Sequence, residues 1–313
     1  HLFEDVDFPE PETLFDDYAT RGPQMKTQEL TIDRHMGYAF DFKVRELKNE
    51  PTLQYIRDSW LMAMAEMDSE QRATWEAIYD KKNEEFLKNP PVGKDLLRWK
   101  YQRYVKEYCR TIRSVDEQVG RLLDYLEEKG VLDNTVIVYT SDQGFLLGEH
   151  GLYDKRFMYE ESFRTPLIIS CPSLVKKHSV CKELVQNIDL APTFLSLAGV
   201  EVPKEMSGRS LLPLFKNGKA ENWRNELYYH FYDYPAVGSV RKHDGIRTKR
   251  YKLIHWYGEG SGNDEAIDFW ELYDLKKDVM EVNNVYDNPK YVKVREALTV
   301  QLEKLRKDVG VTE

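Results

Sequence analysis

The chain has 313 residues, 41% of them hydrophobic and 32% charged, which is the balance of an ordinary globular protein with one large domain, or a main domain and a smaller one. A formal net charge of −9 argues against nucleic acid as partner, while leaving room for a local basic pocket that takes a small anion. No run of about 18 apolar residues occurs, so no membrane span is expected.

The chain opens His1-Leu2-Phe3-Glu4, without an initiator methionine or a visible signal peptide, and is expected to be a fragment or a processed product. Phe8-Pro9-Glu10-Pro11-Glu12 through Gly22-Pro23 is acidic and proline-rich and reads as extended surface chain. A charged stretch follows, with a helix over Asp68 to Phe86, and is read as a helical insert spanning about 24–94. Trp60, Met62, Met64 and Trp75 are expected to pack it onto the body, and Pro90-Pro91-Val92-Gly93 ends it. From about Asp95 to Lys129, Tyr101, Tyr104, Val105, Tyr108, Ile112, Val115, Val119, Leu122 and Leu126 form one apolar helical stripe. Cys109 falls in that pattern as a small core residue, and Gly130 stands where a left-handed cap is wanted.

After a turn at Asp133-Asn134, Thr135-Val-Ile-Val-Tyr-Thr140 is apolar and β-branched and reads as a buried parallel strand. Helix, turn, strand and then polar Ser141-Asp142-Gln143-Gly144 is the signature of an α/β sheet, in which ligands gather at the carboxyl ends of strands. Pro166-Leu-Ile-Ile-Ser170 reads as another strand, and Ile188 to Ala198 as a short helix with Asp189 as N-cap and Gly199 closing it. Cys171 and Cys181 can pair in an oxidising compartment or remain thiols, a choice the sequence leaves open. Beyond Gly218, short aromatic segments at Tyr228–Tyr232, Gly238–Arg241, Gly245–Thr248, Tyr251–His255 and Trp270–Tyr273 suggest a small antiparallel sheet. An amphipathic helix over about Pro289 to Lys307 would cover one of its faces. Domain limits are set at 1–218 and 219–313.

The chemistry concentrates between Tyr139 and Leu167. Asp142 and Gln143 put a carboxylate and an amide carbonyl side by side at a strand end, both hard oxygen donors suited to Ca²⁺. Gly144 lets the backbone turn away, and Lys155 offers a compact positive charge to a tetrahedral oxyanion. Each alone has a bland counterpart: a turn-forming aspartate, a surface lysine, and for His150 a satisfied loop histidine.

Together, Ser-Asp-Gln-Gly-x-x-x-Gly-Glu-His-Gly and Asp-Lys-Arg-x-x-Tyr-Glu-Glu-Ser-x-Arg-x-Pro-Leu resemble the C-terminal metal- and sulfate-binding segment of type I sulfatases in the alkaline phosphatase superfamily. Asn187-Ile-Asp-Leu-Ala-Pro-Thr-Phe-Leu-Ser-Leu-Ala-Gly199 with Gly208-Arg-Ser-Leu-Leu-Pro213 resembles the family's next block. Gly245-Ile-Arg-Thr248 and Trp270-Glu-Leu-Tyr-Asp-Leu275 resemble its C-terminal subdomain. The nearest flavour is the bacterial N-acetylglucosamine-6-sulfatase and mucin-desulfating type, which shares the Phe3-Glu-Asp-Val-x-x-Pro9 lead-in. The resemblance implies an α/β fold, an alkaline phosphatase-like mixed sheet flanked by helices and present in part, with a small antiparallel C-terminal subdomain. It implies Asp142 and Gln143 as ligands of one Ca²⁺ and Lys155 as a catalytic, sulfate-binding lysine. Glu160, Glu161 and Arg164 are expected to form a structural ion network. His150, Arg241 and His243 are substrate-pocket candidates, the last two on a basic loop that reads equally as a solvated charge run.

The implied activity is hydrolysis of sulfate esters on sulfated sugars, in the periplasm or outside the cell. Family members carry a Cys-x-Pro-Ser-Arg motif whose cysteine becomes formylglycine, and no such motif occurs here. Cys171-Pro-Ser-Leu174 lacks both the intervening residue and the arginine. The nucleophile, the paired aspartates of the Ca²⁺ shell, and a further lysine and histidine are therefore expected in an N-terminal segment, without which the chain is inactive. A phosphatase or phosphodiesterase of the same superfamily, and a non-catalytic sulfatase-like protein, are the competing readings.

Overall fold

The computed structural model describes residues 2–44 and 54–311. In chain order its helices are α1 (Gln24–Thr27), α2 (Gln54–Glu66), α3 (Ser69–Lys88) and α4 (Gly93–Glu128). Strands β1 (Ile137–Thr140), β2 (Leu146–Leu147) and β3 (Tyr153–Asp154) lead to α5 (Glu160–Phe163), β4 (Leu167–Ser170) and α6 (Leu190–Leu197). The remainder is β5 (Glu226–Phe231), β6 (His243–Thr248), β7 (Tyr251–Gly258), β8 (Ile267–Asp274) and α7 (Val292–Asp308). Residues 45–53 of the expected helical insert lie outside the described residues. The chain forms two compact units: His1–Asp17, Gln28–Arg121 and Phe145–Asp154 make the first; Tyr18–Thr27, Leu122–Gly144 and Lys155–Glu313 make the second.

In the first unit, α3 starts where Asp68 accepts from the backbone amides of Glu70 and Gln71 while Gln71 accepts from the amide of Asp68, a reciprocal capping box. Ile32, Met36, Phe42, Val44 and Phe86 form its main core, against which Leu96, Trp99 and Tyr104 of α4 pack. The acidic lead-in, expected as extended surface chain, turns at residues 12–15 and buries Leu14 against Tyr101 and Val105, and its first residues are clamped along α4. Arg110 donates to the Leu2 carbonyl at 2.9 Å, Lys106 to Glu4 at 3.0 Å, and Tyr101 to Pro9 at 2.6 Å. Gln102 both accepts from the Phe8 amide, at 3.0 Å, and donates to the Phe8 carbonyl, at 2.7 Å. Trp60 and Trp75 pack α2 on α3, ring centroids 5.3 Å apart, which joins two helices of the expected insert to each other and not to the body, and Met62 stands exposed.

The apolar stripe of α4 is buried at Tyr101 and Val105, and Cys109 packs beside them. Further along, Ile112, Val115, Leu122 and Tyr125 are exposed. Gly130, at φ +67°, closes the helix as its position predicts.

The second unit is built on the antiparallel sheet β5-β6-β7-β8. One face carries Ile246, Leu253 and Leu272, and α7 covers it with Leu298 and Leu302. The opposite face receives the segment leading into α5: Phe157 packs against Trp256 at 5.9 Å and Tyr159 against Tyr273 at 6.1 Å. With both faces covered, β7 is buried at Lys252, Leu253, Ile254 and Trp256. Gly238–Arg241, expected as a strand, is loop and turn.

The expected buried parallel strand is β1, and it pairs antiparallel with β4, Val138 opposite Ile169. Tyr139 and Ile168 remain exposed, so its apolar run is not enclosed by the described residues. Asp189 is buried and does not cap α6; it accepts from the amides of Gln186 and Arg209 at 2.8 Å each and pairs with Arg224. Cys171 and Cys181 are unpaired thiols here, the first buried and the second exposed. No helix among the described residues is long and apolar enough to cross a membrane.

Leu302 is fully buried between α7 and the sheet. Leu302→Ala is expected to cost about 2–5 kcal/mol, read as a lower denaturant midpoint without a change of slope.

Candidate active site

Strand β1 ends at Thr140, and the chain leaves the sheet through Asp142, Gln143 and Gly144. Asp142 is exposed; its Oδ1 accepts from the Gln143 amide at 3.1 Å and from the Ser141 hydroxyl at 3.3 Å. Asn187 donates its side-chain amide to the Asp142 carbonyl at 2.6 Å, which holds the bend from the other side. The amide of Gly144 donates to the Ser162 carbonyl at 2.9 Å. A Cβ at residue 144 would run into the Glu161 carbonyl oxygen and lie 2.8 Å from that of Arg164. Only glycine lets the strand end approach α5 this closely.

Lys155 lies five residues ahead of α5 in the chain. It is half-buried and stands between two non-glycine residues in the left-handed region, Asp154 at φ +67° and Arg156 at φ +89°. Such strain persists only where surrounding packing imposes it. Here Tyr229 donates to the Arg156 carbonyl at 3.0 Å, and Phe157 and Met158 are fully buried behind it. Among the described residues Lys155 makes no hydrogen bond and no ion pair.

What fixes α5 is a knot of charge. Lys252 is fully buried; its ammonium donates to the Met158 carbonyl at 2.6 Å and pairs with Glu160 at 2.9 Å and Glu281 at 2.7 Å. Arg247 pairs with Glu160 at 3.0 Å, and Glu281 accepts from the Glu160 amide at 2.7 Å. Burial works to raise the Glu160 carboxyl, but Lys252 and Arg247 outweigh it and bring its pKa down to about 2. Burial raises Glu281 to about 7. The expected ion network exists at Glu160, but its cations are Lys252 and Arg247, while Arg164 is exposed. The sequence signal for Lys252 is a lysine inside a nearly continuous apolar strand, where a charge is kept only if paired. Neither Glu281 nor Asn187 had any such signal.

Three of the expected substrate contacts have structural occupations instead. His150, in the first unit, is buried at φ +55°; its amide donates to Thr13 at 2.9 Å and its Nδ1 to Asp16 at 2.8 Å. The Arg241 side chain is 2% exposed and donates to the carbonyls of Gly258, Glu259 and Glu265 and to the Tyr234 hydroxyl. His243 is fully buried, its ring 4.1 Å from that of Trp256 and its Nδ1 donating to the Arg241 carbonyl at 2.8 Å. Burial pushes its pKa down to about 4, so the ring is neutral. The basic loop is thus neither a solvated charge run nor an open sugar contact.

No three His, Cys, Asp or Glu side chains among the described residues gather to hold a metal ion. Asp142 and Gln143 fit calcium by donor chemistry, and by number they fill only part of the about six to eight oxygens it prefers.

The fold and this loop agree with known proteins. A sulfatase family model matches residues 11–200, and the model for the C-terminal region of N-sulphoglucosamine sulphohydrolase matches residues 148–308. The chain belongs to the sulfatase family. It is 45% identical over 308 residues to an N-acetylglucosamine-6-O-sulfatase of Bacteroides thetaiotaomicron, an alignment covering 98% of this chain and 54% of the relative. A solved structure of a protein in complex with its substrate, D-glucosamine-2-N,6-O-disulfate, superposes with a TM-score of 0.89 at 44% identity, over 99% of this chain and 62% of that one. A multifunctional alkaline phosphatase superfamily protein, PehA, of Trinickia caryophylli is 35% identical over 196 residues, 59% of this chain and 36% of the relative. The α/β sulfatase fold with its small antiparallel C-terminal sheet is therefore established, while the chain spans 54% of the curated Bacteroides sulfatase it matches.

Gly144→Ala is expected to destabilise the second unit and displace the Asp142 bend, seen as a lower Tm and changed backbone resonances at Glu161 and Ser162. The carboxyl pair makes a pH prediction. Glu160, lowered from 4.5 to about 2, contributes stability above pH 4.5 that is lost as pH falls toward 2. Glu281, raised from 4.5 to about 7, binds its proton more tightly when folded, so its contribution is greatest below pH 4.5 and declines as pH rises to 7. Denaturant titrations across that window should lose the second slope in Glu281→Gln.

Proposed function

We propose that this chain is part of an enzyme hydrolysing sulfate esters of sugars, with 6-O-sulfated N-acetylglucosamine units of glycosaminoglycans or mucins as the substrate class. Lys155 carries the reading: a half-buried ammonium in a strained turn, with no counter-ion among the described residues, is a receptor for an anion. The chain's 45% identity to a relative named for N-acetylglucosamine-6-O-sulfate hydrolysis, and its likeness to a structure bound to a 6-O-sulfated glucosamine, support that sugar.

In this scheme Lys155 pairs with the sulfate and offsets charge growing on its oxygens as the S–O bond to the sugar breaks. Asp142 and Gln143 supply two hard oxygens to calcium, held at the bend by Asn187 and Gly144. Calcium would polarise the sulfate oxygens and a formylglycine would supply the nucleophile. Cys171-Pro-Ser-Leu174 does not match the formylglycine motif, and Cys171 is buried, so no residue of this sequence is assigned as the nucleophile.

The test is turnover of N-acetylglucosamine-6-sulfate by the chain joined to its complementary segment. Lys155→Ala and Asp142→Ala should each lower kcat/KM by roughly a hundredfold or more. Activity of the double variant within tenfold of the parent would defeat the assignment. Phosphate diesters turned over faster than sulfate esters would favour the reading suggested by the PehA relative.

A further inference from the structure

The first unit carries a second concentration of positive charge. Arg103, Lys106 and Arg110 lie on one face of α4 and, with Glu4, Trp99 and Gln102, line an open pocket of about 130 Å³. Arg110 is neutralised by Glu4 at 2.7 Å and Glu107 at 2.6 Å, and Lys82 also pairs with Glu4. Arg103 and Lys106 are different: the acceptors they contact are neutral. Arg103 donates to the Phe42 carbonyl at 2.9 Å and the Asn83 amide oxygen at 2.5 Å, and Lys106 to the Glu4 carbonyl at 3.0 Å. Their direct contacts leave both charges without an ion pair, although Glu107 and Glu4 act on Arg103 at longer range.

Two observations give that charge a consequence. Glu4 has its carboxyl lifted by burial and yet held below the usual range, because Lys82, Arg110 and Arg103 outweigh that effect. The pocket thus already stabilises an oxyanion, supplied by the chain itself. The Arg103 guanidinium is partly desolvated, which strengthens its pull on an anion. Trp99, stacked on Phe86 at 4.1 Å, is a rigid apolar wall suited to a sugar ring.

We infer that the α4 pocket is an accessory oxyanion site, one that takes a sulfate group of a sulfated glycan, with the Glu4 carboxylate as internal competitor. The glycan rests on the proposed function; oxyanion binding does not.

Inorganic sulfate is titrated calorimetrically against Lys155→Ala protein at constant ionic strength, so that binding at Lys155 is removed. Saturable binding should persist there, weaken roughly tenfold or more with Lys106→Met or Arg103→Met, and recover with Lys106→Arg. Glu4→Gln, at a side chain 37% exposed, should tighten it several-fold, a gain that misfolding cannot imitate. N-acetylglucosamine-6-sulfate binding more tightly than inorganic sulfate or phosphate would support the glycan as source. Loss of all sulfate binding in Lys155→Ala, or no response to Lys106→Met and Glu4→Gln, overturns the inference while leaving the proposed function standing. Turnover that survives Lys155→Ala removes the proposed function and leaves the pocket to be judged by its own titration.

Discussion

The second unit depends on one buried ammonium. Lys252 has no exposed surface; its ammonium donates to the Met158 carbonyl and lies within ion-pair distance of Glu160 and Glu281. Removing one member of such a set leaves an uncompensated buried charge, which costs about 3–5 kcal/mol. The lysine sits in the C-terminal sheet; two of its partners, Met158 and Glu160, lie between the strained turn at Lys155 and the start of α5, and the third, Glu281, follows β8. Sheet and site loop are therefore one mechanical object. Phe157 and Tyr159 add the apolar contact, but only the charge fixes which carbonyl and which carboxylate face the strand.

What could be read from the residues was what obeys a period or a cap. The stripe from Tyr101 onward located α4 to within a few residues, Gly130 closed it, and the aromatic runs placed all four C-terminal strands. The sulfatase motif was legible because its residues are crowded into one loop, so the match required no knowledge of tertiary contacts. Strand direction was not legible. The apolar run before Asp142 met the description of a buried parallel strand, yet β1 pairs antiparallel with β4 and exposes Tyr139. Continuous apolarity reports what a strand wants to bury, not which neighbour it finds.

Charged residues were the harder case. Arg241 and His243 look in sequence like a basic surface loop, because composition carries no information on carbonyls converging from Gly258, Glu259 and Glu265. A guanidinium offers five donors in a fixed plane, and where a loop leaves several carbonyls unpaired it is the side chain best shaped to gather them. His243 then follows, lying on Trp256 and bonding to the Arg241 carbonyl. His150 fails as a substrate contact for a related reason: its left-handed backbone belongs to a tight turn after Gly148, and its ring is needed by Asp16.

These contrasts sharpen the meaning of Lys155. Lys252 is compensated in the resting fold, so an arriving anion would find its charge already spent. Arg241 is buried and spends its Nη2 on three backbone carbonyls and its Nη1 on the Tyr234 hydroxyl. Lys155 follows and precedes residues whose left-handed φ values packing must enforce, and its ammonium has no partner among the described residues. A cation whose charge is not already spent on an internal partner is the kind that an arriving anion can use. The fold therefore separates lysines that hold structure from one that is kept available, and it does so by placing the first kind inside the sheet and the second at the end of a strained loop.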